Sequence, residues 1–83
     1  MTADEIDRSR MTRQINEMPD DIGQALEARG VMRAYRSRPP YQQNDYVGWI
    51  TRAKLPATRA KRLAQMLDEL ERGGIYMHMT WRD

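Results

Sequence analysis

Between residues 19 and 73, apolar side chains recur at helical spacing, interrupted by proline and glycine. Ile22, Ala25 and Leu26 share one stripe behind Pro19, Asp20 and Asp21, and a first-turn proline followed by acidic residues suits a helix N-terminus. The pattern predicts a short helix over 19–29, closed by Gly30 in the left-handed conformation. Val31, Met32, Ala34 and Tyr35 predict a second short helix, which ends where Pro39 pushes Arg38 out of helical angles. Tyr46, Trp49, Ile50 and Ala53 follow the i, i+3, i+4, i+7 rule and predict a third helix from about Pro40 to Lys54, aromatic stripe inward. Pro56 can only open a new helix, and Ala60, Leu63, Ala64, Leu67 and Leu70 form an apolar stripe down to Gly73-Gly74. With about two residues between the third and fourth helices, the pair must turn sharply.

The two ends read differently. Thr2-Ala3-Asp4-Glu5 resembles a capping box, yet little beyond Ile6, Met11 and Ile15 follows that could be buried. Residues 1–17 are therefore expected to be a flexible arm, 18–74 the helical domain and 75–83 a C-terminal tail. In the tail, "IYMHMTW" alternates Ile75, Met77, Met79 and Trp81 against Tyr76, His78 and Thr80, a strand-like period with no evident pairing partner. The expectation is an extended tail, packed on the domain or lent to an oligomer contact. The fold class expected is all-α: a small bundle of about four helices.

Composition narrows the function classes. A chain of 83 residues has room for one small core. The absence of cysteine excludes disulfides and thiol zinc sites and fits a reducing compartment. Asp4, Glu5, Asp7, Arg8 and Arg10 leave no apolar run for a standard signal peptide, and no segment approaches a membrane span. A cytoplasmic protein is expected. The net charge of +2 conceals an asymmetry: residues 31–63 sum to +7, flanked by −3 before and −2 after.

That charge centres on "WITRAKLPATRAKRL", residues 49–63, with Arg52, Lys54, Arg59, Lys61 and Arg62 and no acidic side chain. Arg59, Lys61 and Arg62 near the start of the fourth helix, and Asp68, Glu69 and Glu71 near its end, oppose the helix dipole at both termini. No acidic residue lies four positions from any of the three cations, so local ion pairs do not explain them. One reading is a solvated face whose alkyl stems cover the helix edges. The sharper one is an anion-binding corner of Lys54, Thr58, Arg59 and Arg62 at a helix start, receiving a carboxylate or phosphate of a partner. In a third, Thr58 and Arg59 hold a carboxylate of the same chain, Asp20 or Asp21. A small basic helical protein binding DNA or RNA is the alternative, with a helix-turn-helix over the third and fourth helices. Its recognition helix, however, would offer Leu63, Met66, Leu67 and acidic residues to the bases.

Catalysis finds little support. His78 is the sole histidine, Ser9 and Ser37 lack a triad partner, and Asp68, Glu69 and Glu71 read as a solvated face. Alternation places His78 opposite Met77 and Met79, against a Cu(I) site. No metal or cofactor is expected. Tyr46 and Trp49 sit at core spacing, whereas Tyr41 and Trp81 fall outside the apolar stripes and are candidate partner contacts.

"MPDDIGQAL", "RPPY" and "DYVGWITRAKLPATRAKRL" together resemble the C-terminal helical domain of the bacterial YdeI/OmpD-associated, or bacteriocin-protection, family over roughly residues 18 to 73. The most specific part is Tyr46, Val47, Trp49, Ile50, Ala53, Lys54, Thr58, Arg59 and Arg62. The family commonly has Leu-Pro-Pro-Ser before the third helix; here Arg38 stands at the leucine position and Tyr41 at the serine position, where it cannot cap as serine would. Members often carry an upstream domain, so the chain reads as a stand-alone version. The resemblance implies a role in bacteriocin protection or envelope stress, with no reaction or ligand attached. The expected function is a non-catalytic interaction module with a protein partner.

Overall fold

The computed structural model describes residues 16–81, so the expected arm lies outside the described residues except at Asn16 and Glu17. Four helices, α1 (Asp20–Arg29), α2 (Met32–Ser37), α3 (Pro40–Thr51) and α4 (Pro56–Arg72), are followed by a hairpin of β1 (Ile75–Tyr76) and β2 (Met79–Thr80). α4 packs against the other three helices and against β1.

The turns follow from local chemistry. Gly30 at φ 77° closes α1, its N–H donating to Glu27 O and that of Val31 to Leu26 O at 3.0 Å. This paired pattern needs the left-handed residue that glycine supplies, and Val31 joins Leu26 in the core. Arg38 is extended before Pro39 (φ −71°, ψ 152°), which ends α2 and lets Pro40 start α3. α3 stops at Thr51 rather than Lys54, so four residues, 52–55, make the turn into α4.

The core is built from Ile22, Leu26, Val31, Tyr35, Tyr46, Val47, Ile50, Met66, Leu67 and Leu70. Ala60 and Ala64 are exposed, and Met66 takes the inward position. The apolar stripe of α4 is thus rotated from the expected one toward Met66, because larger side chains remove more apolar surface from water than alanine does.

The tail is not a lone extended segment. It folds back on itself with Ile75 opposite Thr80 and Tyr76 opposite Met79, and Trp81 N–H donates to Gly74 O at 2.8 Å. Its turn, Met77-His78, has positive φ at both residues (51° and 67°), the geometry that two-residue hairpins require and that Asn-Gly usually provides.

Where the chain enters the domain, Asn16 is fastened to α3: its N–H donates to Asn44 Oδ1 (2.6 Å) and its Nδ2 to Asn44 O (3.1 Å). Gly48 permits this approach, since a Cβ there would stand 2.6 Å from Asn16 Nδ2 and 2.8 Å from Arg52 Nη1. Gly48→Ala should displace the Asn16 amide, read as altered side-chain amide resonances of Asn16 and Asn44. The melting temperature should change little, because alanine gains about 1 kcal/mol over glycine within a helix.

Candidate functional site

The first candidate surface is the corner between α3 and α4. Leu55 caps α4 without a side-chain hydrogen bond, Pro56 occupies the first turn, and no acidic residue lies in that turn. Thr58 is half-buried and Lys54 exposed. Arg59 reaches across to α1, placing Nη1 2.6 Å from Asp21 Oδ2 and Nη2 3.3 Å from Asp21 Oδ1. The hydrogen bond from Arg59 holds the Asp21 carboxyl below its ordinary value. This pair is open to solvent, with the side chains 30% and 57% exposed, so water screens it and it adds little stability. Arg62 Nη1 donates to Trp49 O at 2.7 Å, and its guanidinium lies 5.3 Å from the centre of the Trp49 ring. It thereby satisfies a carbonyl in the last turn of α3.

These contacts give a physical reason for the charges that oppose the α4 dipole. Arg59 and Arg62 tie the start of α4 to α1 and α3 respectively, while Asp68 and Glu71 near its end both bind Arg29 Nη2, at 2.6 and 2.8 Å. Arg29 lies in the last turn of α1, where a cation suits the dipole. The structure thus turns Arg59 and Arg62 toward different elements, and Lys54 makes no ion pair among the described residues.

A second polar cluster lies under the hairpin, and the sequence reading missed it. Glu69, expected on a solvated face, is 4% exposed. Its carboxylate accepts four hydrogen bonds: from Tyr46 OH (2.5 Å), the N–H groups of Met77 and His78 (both 2.8 Å) and Gln65 Nε2 (3.0 Å). Burial by itself raises the Glu69 carboxyl, but the bonds from Tyr46, His78, Met77 and Gln65 outweigh it and leave it below its ordinary value. The Tyr46 hydroxyl is pushed well up by burial and then by the adjoining carboxylate.

Arg38, 5% exposed, completes this cluster. It donates to Gln42 Oε1 (3.0 Å), Glu69 O (3.3 Å) and Ile75 O (2.8 Å), and its guanidinium sits 4.8 Å from the Trp81 ring centre. Tyr41, 47% exposed, meets the Tyr76 ring edge-on at 6.0 Å. The two predicted contact residues, Tyr41 and Trp81, therefore both sit against this cluster. Tyr76 also packs edge-on against Tyr46 at 5.3 Å and donates to Asp45 Oδ2 at 2.8 Å. No buried side-chain nitrogen or oxygen among the described residues lacks a partner.

One signal for Glu69 was present. At about 100° per residue it lies within roughly 60° of Met66, on the edge of the buried stripe. Three of its four partners stand 23 residues before it and 8 and 9 after it, separations that periodicity does not reach; only Gln65, four residues before it, is local.

Among the described residues, no group of three His, Cys, Asp or Glu could hold a metal ion, and no helix is long and apolar enough to cross a membrane. No curated protein and no solved structure matches the chain. A family model described as "Bacteriocin-protection, YdeI or OmpD-Associated" matches residues 16–73, from the Asn16 clasp to the end of α4 and short of the hairpin. The chain belongs to the YdeI/OmpD-associated family.

Proposed function

We propose that the domain is an interaction module whose α3–α4 corner takes a carboxylate from an acidic segment of a partner protein. The observation that carries this reading is the Arg59–Asp21 pair: a solvent-open guanidinium already engaged by a carboxylate through both terminal nitrogens. Fork-on-carboxylate geometry of this kind is specific to planar anions. Around it, Lys54 and Arg52 are exposed and make no ion pair among the described residues, and the α4 N-terminus has no side-chain cap. Asp21 then acts as an internal stand-in that the partner's carboxylate displaces, an exchange of similar bonds at a wet surface.

Isotope-labelled protein is titrated with an acidic peptide, inorganic phosphate and a short oligonucleotide, each at low and moderate salt. The acidic peptide should shift the amides of residues 57–59, and Asp21→Asn should tighten binding several-fold by removing the competitor. A larger, steeply salt-dependent response to the oligonucleotide would transfer the reading to nucleic acid. Silence at 57–59 with all three titrants at low salt would reject the corner as a binding site.

A further inference from the structure

We propose that the C-terminal hairpin is a separable latch, held shut by the Glu69 carboxylate, that opens while the four helices stay folded. The hairpin has only two paired positions on each strand, too few to be stable alone. Its turn also places Met77 and His78 at positive φ, which L side chains adopt at a cost. What offsets this is Glu69: one carboxylate oxygen accepts the Met77 N–H and the other the His78 N–H. The two oxygens of an ionised carboxylate suit two successive donors. A glutamine has one acceptor oxygen and would turn an NH2 group toward the second N–H.

The rest of the molecule does not depend on the latch in this way. Every fully enclosed core residue comes from a helix or the α1–α2 turn, whereas Ile75, Tyr76 and Met77 are only half-buried. Gly73 and Gly74, both exposed, join the hairpin to α4. Opening would uncover Arg38, Gln42, Tyr46 and Glu69 together, as a polar floor exposed by local rather than global unfolding.

The groups facing Glu69 fix the sign of its pH response. They are Tyr46 from α3, Gln65 from α4, the two turn amides, and the His78 imidazole, whose Nδ1 is 3.8 Å from Glu69 Oε2. Arg38 reaches the Glu69 carbonyl, and Lys61, Asp68 and Arg72 line the groove alongside. Because the folded-state carboxyl lies below its ordinary value of 4.5, its stabilisation is complete above that value and is lost as pH falls through the lowered one. The latch is thus shut at neutral pH.

The test is amide hydrogen exchange at neutral pH on the full chain and on Glu69→Gln. In the variant, Met77, His78 and Trp81 amides should exchange roughly tenfold to a hundredfold faster, while those of Leu26 and Ile50, which sense only the neutralised bond to Tyr46, should accelerate several-fold less. Tyr46→Phe, which spares both turn bonds, should leave turn protection in place. Should Glu69→Gln not fold, acidification of the natural chain gives the same reading: the turn amides should lose protection before those of Leu26 and Ile50. Undiminished turn protection in Glu69→Gln, or simultaneous loss of turn and core protection on acidification, would overturn the latch.

Discussion

Tyr46→Ala should leave the domain largely unfolded at 25 °C. The side chain is fully enclosed and its ring supports Tyr76 edge-on. Truncation opens an aromatic-sized cavity, which costs about 4 kcal/mol, and withdraws the shortest of the four hydrogen bonds to buried Glu69. A domain of this size has a total stability of about 5 kcal/mol. Tyr46→Phe separates the two effects: it keeps the ring and loses only the charge-assisted bond, so about 2 kcal/mol is expected. Urea unfolding followed by far-UV circular dichroism measures both. Equal losses for Ala and Phe would mean that the hydroxyl, and not the ring, carries the contribution of Tyr46.

Arg38→Ala should cost about 3 kcal/mol, the order expected when one member of a buried charged network is removed. The guanidinium is the donor for Gln42 Oε1, Glu69 O and Ile75 O at once. Arg38→Leu restores bulk without donors and should recover part of the loss. Arg38→Lys presents a compact ammonium in place of the planar fork and should remain close to the alanine variant. The midpoint of urea unfolding ranks the three. A lysine variant as stable as the natural chain would show that charge alone, without the fork, suffices.

How far the sequence disclosed this molecule depended on the range of the interaction. Helices were legible because their determinants are local: Pro19, Gly30, Pro39, Pro40 and Pro56 punctuate the chain, and Ile22 with Leu26, or Tyr46 with Ile50, repeat within one turn. The exact inward face of α4 was less so, since alanine at 60 and 64 reads as apolar yet removes little surface from water when buried. The hairpin turn escaped notice because Met77-His78 lacks turn-forming residues; its geometry depends on Glu69 in the preceding helix. At the corner, the violated dipole rule points to Arg59 and Arg62, and Asp20 and Asp21 are the carboxylates the sequence offers to Arg59, but the attachment of Arg62 to the Trp49 carbonyl involves backbone that no side-chain pattern encodes.

The two guanidinium–indole contacts have an optical consequence. Trp49 lies beneath Arg62 at the corner and Trp81 beneath Arg38 at the hairpin, and the chain has only these two tryptophans. Each region therefore contains one intrinsic fluorophore next to a cation. With either indole replaced by phenylalanine, the emission of the other follows its own region alone, so occupancy of the corner and release of the hairpin become two separate signals from an unlabelled molecule.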